Sequence, residues 1–303
     1  MNPTTELRAR ICYHGDHCTD GLAAMVIMRE WLVARHYDVD LQACNYNELP
    51  IPYGYDYVCF VDFCPTGEQL EIALNQNEHV AVIDHHPRAV DMDWKALVKD
   101  YPKTLDFYVS AEGCGAMLVW GYCYPKEESP QVLKLIDDRD RWQWRQHGTK
   151  EWSAAFQLYS IEDKQATLWE LMFGPTHARG PTMERMLQEG AVINLYQQQV
   201  IDKQCRMAHV QVLSGYPVVC VNTPELPSET CHTLLDLHPY TRWAACWHIA
   251  PDGTVKYSVR SRNEVDTVHT IVIPHGGGGH HCAGGMTLPK PQRSYSLDMW
   301  DNL

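Results

Sequence analysis

The stretch VIDHHPRAV, residues 82–90, sets Asp84, His85 and His86 directly after a β-branched run. It completes HVAVID (79–84), which is apolar on both faces, as a buried parallel strand is. Two earlier runs read the same way, RICY (10–13) and YVCFVD (57–62). Between them lie helical patterns. In GLAAMVIMREWLV (21–33), Leu22, Met25, Val26, Leu32 and Val33 share one face, and TGEQLEIALNQ (66–76) follows the second strand. Strand, helix, strand, helix at this spacing predicts βαβ units and an α/β fold built on a parallel sheet.

The second half is organised differently. PTMERMLQEGAVINLYQQQVIDKQCR opens on Pro181 and repeats Met183, Met186, Leu187, Ile193, Tyr196 and Val200 at helical spacing, predicting a long connecting helix. Beyond it HVQVL, PVVCV, WAACWHI and VKYSVRS read as strands, with a turn at PDG (251–253). The expected division is a first domain over 1–178, a connecting helix over 179–207 and a smaller mixed α/β domain over 208–303.

The 303 residues suffice for two cored domains, and 45% hydrophobic with 21% charged residues is an ordinary globular balance. Lys+Arg 25 against Asp+Glu 38 gives a net charge of −13. That balance argues against broad binding to long duplex nucleic acid but leaves room for a short nucleotide in a local basic pocket. The N-terminal MNPTTELRARICY lacks the basic-then-apolar order of a secretory signal, and no apolar run approaches the ~20 residues of a membrane span. The 12 cysteines mostly sit inside apolar runs without zinc-finger spacing, so reduced thiols, a cytoplasmic location and no membrane partner are expected.

Each of the three strands ends in potential ligands. RICY leads into HGDHCTDG, with His14, Asp16, His17, Cys18 and Asp20; YVCFVD ends in Asp62; HVAVID ends in Asp84 followed by His85 and His86. A fourth cluster, LIDDRDRWQW (135–144), adds Asp137, Asp138 and Asp140. One aspartate at a strand end usually caps a helix or forms a turn. Four such clusters at the edge where α/β sheets bind ligands instead point to divalent cations. Mixed Asp and His donors suit Mn²⁺ or a similar first-row ion better than Ca²⁺, and two ions would relieve the carboxylate repulsion. Near the other end, GGGGHHCAGG (276–285) offers a glycine-rich loop whose N–H groups, at Gly277, Gly278 and Gly279, can face an anion beside His280. Arg260 and Arg262, at the end of VKYSVRS, are candidates for bidentate phosphate contacts.

With these residues in place, the chain resembles the DHH phosphoesterase family. YHGDHCTDG resembles its first motif, CFVDF the second, IDHHPRA the third and namesake, and DDRDRW the fourth. YSVRS followed by GGGGHHCAGG resembles the substrate-binding DHH-associated domain. The resemblance implies two domains facing each other across an active-site cleft, with two Mn²⁺ ions on the first; Co²⁺ or Mg²⁺ are alternatives. It implies that His14 and Asp62 hold one ion, and that Asp20, Asp62, His85 and Asp138 hold the other, with Asp62 bridging. His86 would stand near the scissile phosphate as a ligand or proton donor, Asp84 would orient the histidines, and Arg260 would bind substrate. Many relatives carry Asp four residues after the first His, where this chain has Cys18, so either its thiolate or Asp16 completes the first ion's ligands. Asp140 competes with the preferred Asp138 in the fourth motif.

The implied activity is metal-dependent hydrolysis of phosphate esters in short oligonucleotides or (di)nucleotides, in an exonuclease-like manner. Two other readings stand beside it, an exopolyphosphatase or pyrophosphatase, and a catalytically silent nucleotide-binding protein. No run of lysines suits a polyphosphate track, and of the motif positions only Cys18 departs.

Overall fold

The computed structural model describes residues 7–15, 18–45, 50–262 and 266–289. It divides into two compact units, residues 1–194 and 195–303. The division falls inside the long helix rather than at its two ends.

In the first unit the chain runs β1 (Leu7–His14), α1 (Thr19–Val33), β2 (Tyr37–Cys44), β3 (Tyr57–Val61), α2 (Gly67–Gln76), β4 (Val80–Asp84), α3 (Pro87–Val90), α4 (Trp94–Asp100) and β5 (Leu105–Val109). Helices α5 (Gly115–Cys123), α6 (Gln131–Asp140), α7 (Thr149–Gln157), α8 (Ile161–Phe173) and the first part of α9 (Thr176–Cys205) follow. The strands form one parallel sheet in the order β2-β1-β3-β4-β5. The order reverses between β1 and β3, and in open α/β sheets the crevice beyond such a reversal is where ligands bind. His14 ends β1 and Asp62 follows β3 at that place.

Alternation along the central strands builds two cores. Ile11, Cys59, Val61, Ala81 and Ile83 face α1 and the helices from α5 onward, whereas Cys12, Val58, Phe60, Val80 and Val82 pack with Leu70, Ala73 and Trp94. Every residue of β3 and β4 is buried, as the apolar runs predict. Helix α1 is buried from Asp20 through Met28, so it carries no single apolar stripe in that half, and Val33 of the expected face is 50% exposed. Helix α9 begins five residues before Pro181, which therefore sits inside it. A proline just beyond the first turn costs one backbone bond, and the 30-residue helix tolerates it.

The second unit holds the rest of α9, then β6 (His209–Leu213), β7 (Tyr216–Asn222), α10 (Pro227–Leu237), β8 (Trp243–Ile249), β9 (Val255–Ser261), α11 (His269–Val272), β10 (Gly278–His280) and β11 (Ala283–Leu288). Its sheet order is β10-β11-β9-β8-β7-β6, antiparallel except for β7 and β8, which α10 connects. The mixed α/β character matches the sequence expectation. The described cysteines are all free thiols, and no helix among the described residues is long and apolar enough to cross a membrane.

Candidate metal centre

The centre lies on the first unit, and its middle is Asp62. This residue leaves β3 with φ of 52°, a left-handed conformation that aspartate tolerates and that redirects its side chain at the strand end. Its N–H donates to the Ile83 carbonyl at 2.9 Å, tying the turn to β4. The carboxylate is completely buried. Its two oxygens face different neighbours. Oδ2 lies 3.5 Å from His14 Nδ1 and 3.4 Å from Cys18 Sγ. Oδ1 lies 3.2 Å from His85 Nε2 and 3.7 Å from His86 Nδ1. His85 Nε2 in turn stands 3.6 Å from both Asp20 Oδ2 and Asp140 Oδ2.

Three groups offer one donor atom per residue within 4.8 Å of one another: His14, Cys18 and Asp62; Asp20, His85 and Asp140; and Asp62, Asp84, His85 and His86. Sequence positions 14, 62, 85 and 140 thus meet at one sheet edge because β1, α1, β3, β4 and α6 all end or begin there.

Each side chain is held from behind. The Asp20 carboxylate accepts from the N–H groups of Gly115 and Ala116 at 2.6 and 2.7 Å, serving as a distant cap for α5. Asp84 Oδ1 accepts from the His85 and His86 N–H groups at 2.8 and 3.2 Å and from His86 Nδ1 at 2.7 Å, which fixes the orientation of that imidazole. Two glycines are required by close approach. A Cβ on Gly21 would lie 2.2 Å from the His14 carbonyl oxygen, so only glycine lets α1 start against the end of β1. A Cβ on Gly115 would lie 2.6 Å from the Asp62 Cβ.

The electrostatics follow from crowding. Burial and the Asp62 and Asp140 charges raise the Asp20 carboxyl well above the usual range. Burial also opposes charge on Asp62, but His14 and His85 outweigh it and hold this carboxyl low. His85 is pushed up to about 10 by Asp62 and Asp20, although burial works against it. Burial, Asp62 and Asp20 push the Cys18 thiol up. Positive charge is what the cluster lacks. Asp62 Oδ1 and Asp84 Oδ2 are buried and accept no hydrogen bond among the described residues. Buried carboxylate oxygens in that condition, beside imidazole donors, fit divalent cations.

The geometry differs from the sequence expectation at three places. Asp138, the preferred fourth-motif ligand, is turned away: its oxygens accept from the Arg145 N–H at 2.7 Å, the Gln146 N–H at 3.0 Å and Thr149 Oγ1 at 2.6 Å. On α6 the residue two positions later presents its carboxylate to His85, so Asp140, not Asp138, stands in the donor cluster. Arg262 is likewise committed, its guanidinium donating to the carbonyls of Leu235 and Pro239 at the C-terminal end of α10. The glycines at 277 and 279 serve close backbone approach, since a Cβ there would lie 2.3 Å from the Gly285 oxygen or 2.4 Å from the Ala283 oxygen. Asp16 and the side chain of His280 lie outside the described residues.

On the second unit the backbone register places Arg260, Ala283 and His280 in one row across β9, β11 and β10. Arg260 donates to Ser228 Oγ at 2.8 Å. Strand β10, with Gly278 and Gly279, is the sheet edge, so the backbone groups on its outer side are not used by the sheet. Gly115 is the residue that sequence reading missed. Its signal was a glycine opening an apolar helix, in CGAMLVWG (114–121).

No protein-family model matches the chain. It is 24% identical over 298 residues to Uncharacterized protein R106 of Acanthamoeba polyphaga mimivirus, covering 92% of this chain and 67% of that one. It is 21% identical over 243 residues to Oligoribonuclease NrnB of Bacillus subtilis (strain 168), covering 76% of this chain and 59% of that protein's length. Among solved structures, exonuclease RecJ bound to manganese superposes with a TM-score of 0.50 at 15% identity, over 94% of this chain and 86% of the other. The chain thus shares its fold with the RecJ exonuclease structure and is similar in sequence to Oligoribonuclease NrnB, with the ordered motifs that resemble the DHH phosphoesterases.

Proposed function

We propose that the protein is a divalent-metal-dependent phosphoesterase that hydrolyses phosphate ester bonds of short oligonucleotides or (di)nucleotides, in an exonuclease-like manner with Mn²⁺ as the working ion. The observation that carries this reading is the Asp62 carboxylate, whose two oxygens face two separate sets of donors. His14, Cys18 and Asp62 would hold one ion; Asp20, His85, Asp140 and Asp62 would hold the other. Such a pair supplies Lewis-acid polarisation of the phosphoryl oxygens and lowers the pKa of the attacking water.

The chain's own residues do the rest. Asp84, accepting from Nδ1 of His86 at 2.7 Å, holds the proton on that nitrogen and leaves Nε2 as the atom that exchanges a proton with the substrate. With 10% of its side chain exposed, His86 is shielded from water that would compete for that proton. Asp62 and Asp20 hold His85 in place from two sides. On the second unit Arg260 and the outer backbone of β10 offer a guanidinium and N–H donors for a phosphate.

The nucleotide reading is supported by the relatives, one named an oligoribonuclease and one an exonuclease bound to manganese. The net charge of −13 favours short substrates over long strands. The test offers a dinucleotide, a bisphosphorylated adenosine and polyphosphate in parallel with Mn²⁺. Turnover of the dinucleotide is expected, and turnover of polyphosphate alone would overturn the substrate assignment.

A further inference from the structure

We infer that the two donor sets sharing Asp62 differ in kind: the His14–Cys18–Asp62 position takes a thiophilic divalent ion through the Cys18 thiolate, while the Asp20–His85–Asp140 position takes a harder one. The inference rests on the two-ion reading above and concerns which metal each position selects.

The donor atoms separate cleanly. Around Asp62 Oδ2 stand one sulfur and one imidazole nitrogen, at 3.4 and 3.5 Å. Around His85 Nε2, beside Asp62 Oδ1, stand two more carboxylates. Affinity follows softness of the ligands, so a thiolate with imidazole selects Zn²⁺, Co²⁺ or Cd²⁺, and a carboxylate-rich set favours Mn²⁺ or Mg²⁺. The spacing agrees. Donors around a tetrahedral ion at bond lengths of about 2.0–2.3 Å stand roughly 3.3–3.8 Å from one another. The sulfur and nitrogen are therefore already placed against Oδ2 as neighbouring corners of such a polyhedron.

Helix capping alone does not account for Cys18. It is the N-cap of the 15-residue α1, and its sulfur accepts from the Gly21 N–H at 3.4 Å. Ser, Thr, Asp or Asn would cap better, so a cap by itself argues against cysteine. A divalent ion that binds the sulfur would displace its proton, as metals do at cysteine ligands. Most of the other cysteines are buried in apolar cores, whereas Cys18 is half-buried among polar groups. A second observation sets the sulfur among other donors: His14, Cys18 and the fully buried Asp62 each offer one donor atom within 4.8 Å of the others.

Metal-free full-length protein titrated with Co²⁺ decides the matter, with bound cobalt counted by elemental analysis. The expected result is a thiolate-to-cobalt charge-transfer absorption that saturates at one Co²⁺ per chain while two are bound. Cys18→Ser should lose that absorption, keep its far-ultraviolet circular dichroism and shift competition between Zn²⁺ and Mn²⁺ by more than about tenfold toward Mn²⁺. Two bound Co²⁺ without the absorption would overturn the thiolate assignment and leave the two-ion reading intact. The absorption persisting in Cys18→Ser would overturn it as well, by placing the sulfur elsewhere. No bound Co²⁺ at all would remove the two-ion reading and this inference together.

Discussion

The Nδ1 atom of His86 stands 2.7 Å from Oδ1 of Asp84, a carboxylate with no exposed surface. On the proposed reading that contact gives Asp84 a positioning role, and it also falls in one of the donor groups. Asp84→Asn keeps the shape and removes the charge. The expected outcome is unchanged metal content with kcat lowered by about 10–100-fold. Elemental analysis beside steady-state kinetics measures both. Loss of one ion per chain would instead make Asp84 a ligand.

Asp138 and Asp140 should separate stability from metal binding. Asp138 satisfies the Arg145 and Gln146 backbone N–H groups, which its truncation would strand, and the Thr149 hydroxyl, which would keep only the Gln146 carbonyl at 3.2 Å. Asp138→Ala is expected to destabilise the metal-free protein by about 2–4 kcal/mol. Asp140→Ala removes a carboxylate that faces Asp20 and Asp62 near His85, so the metal-free fold should be no less stable while affinity for one ion drops by at least about tenfold. Denaturant unfolding in chelator, with metal titrations on the same samples, gives the two numbers. An unfolding midpoint shift for Asp140→Ala equal to that of Asp138→Ala would refute the split.

How far the sequence carried depends on where each residue sits. The central strands β3 and β4 were legible because both faces are buried, leaving unbroken apolar runs. The edge strands were not: β2, YDVDLQAC, interleaves polar residues, and β5, LDFYV, is short, broken by Asp106 and exposes Phe107 and Tyr108. The meeting of His14, Asp62 and His85 was legible because a polar group at a strand end is a local pattern. The choice between Asp138 and Asp140 was not. Which of the two faces His85 depends on helical rotation, since two residues along α6 turn the side chain by more than half a circle, and on Thr149 of α7, remote from any motif. The commitment of Arg262 to α10 was hidden for the same reason: its partners are backbone carbonyls 27 and 23 residues away.

Gly115 supports the centre without contributing a donor atom to it. Its N–H holds Asp20 at 2.6 Å, and a Cβ in its place would meet Asp62 Cβ and Oδ1 at 2.6 and 2.7 Å. Neither partner can yield cheaply. Asp62 is fixed by its left-handed backbone and its bond to Ile83, and moving α5 would break the cap that Asp20 provides. Gly115→Ala should therefore shift Asp62 away from both donor sets at once. Overpacking of this kind costs about 1–3 kcal/mol of stability. Affinity for both ions should fall by at least about tenfold, because the displaced carboxylate is the one they share. Calorimetric titration with Mn²⁺, with circular dichroism confirming the fold, measures the effect. Wild-type affinity at both positions would mean that Asp62 does not bridge them.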